Sequence, residues 1–171
     1  MRALTFTLLG DQHNKTDFDC GVPCLNLYLA KYAGQESRER FTQCYAAADN
    51  NNNVLGFYTL SSYAVNINAL AASATQKLPR YPTVPTALLG RLAVDIRYQG
   101  KGLGGSLIVD AIVNTLNSAI GVWAINAQAK HPRAKAFYIK YGFYSFEKNE
   151  HALYLPLNGD ITRTLSSLNR H

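Results

Sequence analysis

The stretch from Thr86 to Leu116, TALLGRLAVDIRYQGKGLGGSLIVDAIVNTL, constrains the fold more than any other part of the 171-residue chain. Residues 86–96 are rich in apolar and β-branched side chains and read as a strand, with Gly90 as a possible bulge. Arg97–Gly105, RYQGKGLGG, then brings four glycines and a lysine with no acid. After it, Leu103, Leu107, Ile108, Ala111, Ile112 and Leu116 recur at helical spacing. Strand, glycine loop, helix is an arrangement that aims backbone N–H groups and a helix N-terminus at a phosphate. Two common versions are excluded. A nucleoside-triphosphate loop needs Ser or Thr after Gly-Lys, and Lys101 is followed by Gly102. A dinucleotide loop needs an acid about 20 residues on, and none lies between Asp110 and Glu147. What remains is a pyrophosphate cradle, with Lys101 and Arg97 as charges for a further phosphate, or a plain tight turn between strand and helix.

The rest of the chain supplies a sheet around this unit. The N-terminal MRALTFTLLG reads as a strand rather than a signal peptide. VPCLNLYLAKYAGQESRER reads as a helix with Pro23 in its first turn and Leu25, Leu29, Tyr32 and Ala33 on one face. CYAAA and VLGFYTLSSYAV are strands joined by a turn at Asp49–Asn53. INALAASATQK is a weak helix ahead of a proline-rich crossing. Gly121 stops the helix that follows the glycine loop, and VWAINAQA is a strand. HPRAKAFYIKYG is a helix with Pro132 in its first turn and Gly142 at its end, although His131 is a poor N-cap. Phe137 and Tyr141, four apart, read as its buried stripe, which leaves Tyr138 on a neighbouring face. FYSF and ALYLPL are closing strands, and NGDITRTLSSLNRH is either a short helix or a frayed end. The order is one of an α+β protein, and the whole chain, 1–171, is expected to form a single domain.

Charge is concentrated near the loop. The chain carries 17 Lys and Arg against 11 Asp and Glu, a net +6. Nine of those cations and only two of the acids fall between Lys77 and Lys140, so the remainder of the chain is close to neutral. A polyanionic ligand or substrate is the natural partner for such a field. No apolar run approaches the ~20 residues of a membrane helix, and the expected compartment is the cytoplasm. The three cysteines, Cys20, Cys24 and Cys44, and four scattered histidines lack metal-ligand spacing. They read as small buried thiols, with no metal site expected.

Two separate blocks then carry a family resemblance. Gln99-Gly100-Lys101-Gly102-Leu103-Gly104, behind the strand, is similar to the Gln/Arg-x-x-Gly-x-Gly loop of the GNAT acetyltransferase superfamily. Ala134, Phe137, Tyr138, Gly142 and Phe143 match that superfamily's Ala-x-x-Phe-Tyr-x-x-x-Gly-Phe block. FDCGVPCLNLYL, VLGFYTLSS and LGRLAVD further resemble the GNAT toxins of bacterial toxin–antitoxin pairs, so the likeness runs from about Phe18 to Pro156. The chain departs from the pattern at AKHPR, where polar or acidic residues are common in the family.

The resemblance implies a GNAT fold, a mixed central sheet of about six to seven strands flanked by helices. It implies acetyl-CoA as the acetyl donor. The strand Leu92, Ala93, Val94 would pair with the pantetheine arm, and Gln99, Gly100, Lys101, Gly102, Leu103 and Gly104 would hold the pyrophosphate. Tyr138 matches the family's general acid, and a phenol with an ordinary pKa near ~10 is protonated at neutral pH and able to donate. No general base is evident: Asp95 alternates with Val94 along the strand, but Arg91 and Arg97 beside it in sequence suit it equally to a salt bridge. The α-amine of an aminoacyl ester, with a pKa at or below ~8, needs none, unlike a lysine side chain. The resemblance to the toxins implies aminoacyl-tRNA as the substrate, with Lys77, Arg80, Arg91, Lys130, Arg133, Lys135 and Lys140 as the cations available to its phosphates. A cognate ribbon-helix-helix antitoxin and a homodimer are implied in the same way. The alternatives are an acetyltransferase for a small-molecule amine or a protein N-terminus, and an acyl-CoA-binding protein without turnover.

Overall fold

Alternating polar and apolar residues, broken by turn formers, fold as strands in the computed structural model, which describes residues 3–161 and Leu165. Among the described residues seven strands form one sheet in the order β1-β2-β3-β4-β5-β7-β6. They are β1 (Thr5–Leu8), β2 (Gln43–Ala48), β3 (Val54–Asn66), β4 (Thr83–Val94), β5 (Ala124–Gln128), β6 (Tyr144–Phe146) and β7 (Asn149–Pro156). The helices are α1 (Pro23–Leu27), α2 (Ala33–Arg38), α3 (Ala72–Thr75), α4 (Leu103–Leu116) and α5 (Pro132–Lys140). The pairing is mixed: β4 and β5 run parallel, while β1–β2, β2–β3, β5–β7 and β6–β7 are antiparallel. The α+β class and strand count match the expectation from sequence.

By internal contacts the chain divides into two units, with boundaries inside β3, β4 and α4. One comprises the chain up to Ser61 with Gly90–Ala111. Its β2–β3 hairpin turns at the asparagine run as expected. The Asp49 carboxylate accepts from the amides of Asn51 and Asn53, and Asn52 takes φ 62. Beneath it lies a core of Phe18, Tyr28, Leu29, Cys44, Phe57 and Ala93. Gly56 suits a close approach: a Cβ there would sit 3.0 Å from Leu107 Cδ1 and 3.2 Å from the Ala93 carbonyl oxygen, so a neighbour would have to shift. Tyr58 fixes α4 further, donating its hydroxyl to Asp110 Oδ2 at 2.7 Å.

The helix expected after Pro23 forms, with one correction. A π-helical turn, Tyr28–Tyr32, separates α1 from α2. The wider turn shifts the inward face, so Tyr28, Leu29 and Ala33 are buried while Tyr32, expected on that face, is half exposed. The cysteines also divide, Cys20 and Cys44 being buried and Cys24 exposed.

The second unit comprises Ser62–Leu89 and the chain from Ile112. Strand β5 pairs with β4 over four positions, from Thr86↔Ala124 to Leu89↔Ala127, and β7 flanks it on the other side. Val65, Leu70, Val84 and Tyr154 form its cluster, joined by Trp123 and Phe146. Helix α5 starts and ends where Pro132 and Gly142 suggest. His131 proves a working N-cap, its Nδ1 accepting from the Ala134 amide at 3.1 Å. The weak helix shrinks to the four residues of α3. Strand β4 begins three residues before its expected start and ends at Val94, because Asp95 caps a short 3₁₀ turn. The expected C-terminal element past Ile161 lies outside the described residues, Leu165 apart.

Candidate active site

The glycine loop is held open by side chains that the sequence made ambiguous. Asp95 follows β4 directly and is fully buried. Its carboxylate accepts from the Arg97 amide, from Arg97 Nε and Nη2 at 2.8 Å each, and from the Asp19 amide at 3.2 Å. The Arg97 fork, more than any other contact, holds the Asp95 carboxyl below the usual carboxylate range. One reading is corrected here: Arg97 is committed to Asp95 and is not a spare charge for a phosphate. The Asp95 carboxylate serves as a structural anchor for the loop. Gln99 also turns inward, its amide Nε2 donating to the carbonyls of Val94 (2.8 Å) and Cys20 (3.1 Å). These bonds fix where the loop leaves the strand.

Past Gln99 the backbone enters the left-handed region twice, at Gly100 (φ 72) and Gly102 (φ 87). A Cβ built on either residue would meet no atom within 4 Å. The glycines therefore serve conformation, and the space beside them is open to a ligand. Leu103 buries its side chain and starts the 14-residue helix α4, whose first-turn amides have no intrahelical acceptor. Its first turn carries no acid to compete with an anion. Lys101 is exposed, with Nζ 5.6 Å from the Tyr98 ring centroid. A loop of backbone donors with open space in front and a lysine beside it suits a pyrophosphate. In β4, Leu92 and Val94 are half-buried and Ala93 is buried, and these residues lie beyond the last β5 pair at Leu89.

Arg91 precedes them and is built into a cluster that sequence reading missed. Its amide donates to Thr59 Oγ1 at 3.0 Å. Its guanidinium carbon lies 3.6 Å from the centroid of the Tyr28 ring. Glu36 Oε2 lies 4.0 Å from Arg91 Nη1 and accepts the Tyr28 hydroxyl at 2.7 Å. Nothing local in the sequence joins residues 28, 36 and 91. The π-helical turn brings Tyr28 inward.

Tyr138 stands in the second unit. The i,i+4 pair Phe137 and Tyr141 was expected to form the buried stripe of α5, but both are half-buried and Tyr138 is the buried residue. Its ring packs against Phe137 and Phe143, centroids 5.4 and 5.2 Å apart. Among the described residues its hydroxyl has no hydrogen-bond partner, and it is not one of the buried unpaired polar atoms, so the ring is enclosed while the hydroxyl end keeps solvent access. Burial pushes the phenol up to about 12. It is a proton donor throughout the physiological range.

The remaining cations are dispersed. Lys135 pairs with Glu150 at 3.0 Å. Lys77, Arg80, Lys130, Arg133 and Lys140 are exposed, the last with Nζ 5.7 Å from the Tyr141 ring centroid. No helix among the described residues is long and apolar enough to cross a membrane.

Comparison with known proteins places these features in context. Residues 40–145 match the family model described as an acetyltransferase (GNAT) domain. The chain is 36% identical over 137 residues to a protein of Mycobacterium tuberculosis (strain ATCC 25618 / H37Rv) named tRNA-acetylating toxin, covering 79% of this chain and 81% of that one. Among solved structures it resembles AtaT complexed with acetyl-methionyl-tRNAfMet, with TM-score 0.83, 31% identity, and 98% and 99% of the two chains covered. It also resembles a mutant AtaT toxin bound to the C-terminus of the antitoxin AtaR and acetyl-CoA, with TM-score 0.74, 27% identity, and 98% and 99% covered.

Proposed function

Because the chain belongs to the GNAT acetyltransferase family, we propose that it is an acetyl-CoA-dependent N-acetyltransferase toxin that modifies the α-amino group of aminoacyl-tRNA, blocks translation, and is neutralised by a cognate antitoxin. The strongest single support is the 36% identity to the tRNA-acetylating toxin over most of both chains. The AtaT complex with acetyl-methionyl-tRNAfMet and the antitoxin-bound AtaT complex support the same reading of substrate and partner.

Acetyl-CoA supplies the acetyl group as a thioester. The amides of Gln99–Gly104 and the first turn of α4 hold its pyrophosphate, with Lys101 adding charge. The backbone of Leu92–Val94 pairs with the pantetheine arm, and one of its amides polarises the acetyl carbonyl as an oxyanion hole does. Tyr138 Oη donates its proton to the departing sulfur, and a buried phenol raised to about 12 remains protonated until then. The commitment of Asp95 to Arg97 leaves proton removal to solvent, which an α-amine of low pKa permits.

In this proposal residues 1–171 form one acetyltransferase domain, working in the cytoplasm as a homodimer, and the antitoxin is of the ribbon-helix-helix type. Lys77, Arg80, Lys130, Arg133, Lys135 and Lys140 offer phosphate contacts. The test is transfer of labelled acetyl from acetyl-CoA to bulk tRNA, charged or stripped of its amino acids. Label is expected in charged tRNA and lost on mild alkaline ester hydrolysis. Label in neither tRNA sample, with transfer to small amines or protein N-termini instead, overturns the substrate assignment.

A further inference from the structure

The chain carries two arginines near the end of β4, and the structure treats them oppositely. Arg97 is neutralised, forked onto a buried carboxylate through two bonds of 2.8 Å. Arg91 is held in place without being neutralised in that way. Its guanidinium lies over the Tyr28 ring, with Cζ 3.6 Å from the centroid. Its ion pair with Glu36 is a single contact at 4.0 Å, and the same Glu36 oxygen already accepts the Tyr28 hydroxyl at 2.7 Å. The Arg91 side chain keeps 37% exposure. One face and one edge are fixed by protein, and the rest of the fork opens outward. An arginine pre-oriented this way loses little side-chain entropy on binding an anion, and its planar donors match a phosphate.

Its place in the chain suggests which phosphate. Arg91 is one residue, or about 3.3 Å of strand rise, before the Leu92–Val94 segment assigned to the reacting acyl group. An aminoacyl ester delivering its α-amine to that segment brings along the 3′-terminal nucleotide of its tRNA. The phosphodiester of that nucleotide is the first anion behind the amine. Resting on the aminoacyl-tRNA reading above, we infer that Arg91 is the binding residue for the substrate's 3′-terminal phosphodiester, with Tyr28 and Glu36 as its positioning residues.

The experiment compares two minimal substrates bearing the amino acid that the enzyme acetylates on tRNA. One is the aminoacyl ester of adenosine, which lacks the phosphodiester. The other is the aminoacyl ester of cytidylyl-adenosine, which has it. The readout is the ratio of kcat/KM for the second over the first. Arg91→Gln is expected to lower that ratio roughly 10- to 100-fold, the value of a hydrogen bond to a charged group. Arg91→Lys, which keeps charge but loses the fork and the stack, should fall between. Glu36→Gln keeps an acceptor for the Tyr28 hydroxyl and removes the competing charge, so its ratio should equal or exceed that of the wild type.

If Arg91 only clamps the helices to β4, Arg91→Gln lowers turnover of both substrates together and leaves the ratio unchanged, which overturns the inference. A Glu36→Gln ratio that collapses with that of Arg91→Gln overturns it as well. Acetylation of neither ester nor of charged tRNA by the wild type overturns the aminoacyl-tRNA reading and this inference with it. Acetylation of charged tRNA with no preference between the two esters overturns the inference alone.

Discussion

Gly102→Ala separates what the glycine loop does for the fold from what it does for the ligand. Gly102 sits at φ 87, where an L side chain costs roughly 1–2 kcal/mol. Alanine also restricts the unfolded chain, returning about 0.4–1 kcal/mol. The added Cβ meets no protein atom within 4 Å, so no clash adds to the backbone term. The net cost is about 1 kcal/mol. For a chain of this length that lowers Tm by about 2–4 °C, readable by scanning fluorimetry without ligand. The same methyl projects into the open space assigned to the pyrophosphate. Losing one amide bond to a charged oxygen there costs about 1.5–3 kcal/mol, so acetyl-CoA should bind roughly 10- to 100-fold more weakly by titration calorimetry. Gly121→Ala is the control: its Cβ also meets nothing within 4 Å, and its φ is not left-handed. It should leave acetyl-CoA affinity unchanged. Gly102→Ala protein with the predicted small Tm loss but wild-type affinity for acetyl-CoA would refute the cradle.

Three other outcomes follow from the same contacts. Tyr138→Phe should lower turnover by roughly 10²-fold or more while acetyl-CoA binding and Tm stay near wild type, since no described residue bonds the hydroxyl. With Tyr138 raised to about 12, the wild-type rate should show no alkaline fall with a pKa near 10, as a stopped-time pH series can check. Asp95→Asn removes the carboxylate charge and replaces one of the two acceptor oxygens of the Arg97 fork with an NH2 donor. Because Arg97 is more than half exposed and can turn to water, the loss should be about 2 kcal/mol, seen as a lower urea midpoint at pH 7. The carboxyl is depressed in the folded state, so its contribution is present above the ordinary value of ~3.9 and disappears as pH falls through the lower folded value. The variant should lack that part of the acid limb, and a midpoint that tracks wild type at every pH would count against the anchor. Gly56→Ala should cost about 1–3 kcal/mol in thermal melts, because a methyl there crowds Leu107 Cδ1 and the Ala93 carbonyl oxygen and one of them must shift.

Much of the fold was legible because the signals were local. Pro132 and Gly142 bracket α5, the asparagine run closes the β2–β3 hairpin, and strand, glycines and helix follow in order through residues 83–116. The misreadings came from backbone geometry and packing that residue spacing alone does not show. Counting at 3.6 residues per turn placed Tyr32 inward, but the π-helical turn hands that position to Tyr28. The aromatic pair Phe137 and Tyr141 resembled a core stripe, yet Phe143, beyond the helix, packs on Tyr138. Neighbouring charges made Asp95 equally a partner of Arg91 or Arg97. The 3₁₀ turn after β4 decides for Arg97 and leaves Arg91 to Tyr28 and Glu36, more than 50 residues earlier. The glycine loop could be located from sequence, but the bonds that hold it open could not.

The account rests on the identity of the acetylated group, and mass spectrometry of the product reads it directly. Purified enzyme is incubated with acetyl-CoA and total charged tRNA, the tRNA is digested to nucleosides, and the aminoacyl-adenosine fraction is analysed. The account predicts one or a few aminoacyl-adenosines carrying a single acetyl group on the α-nitrogen, absent when acetyl-CoA is omitted and strongly reduced with Tyr138→Phe. Unmodified aminoacyl-adenosines throughout, with acetyl consumed by lysine side chains or free amines in the same mixture, would contradict it.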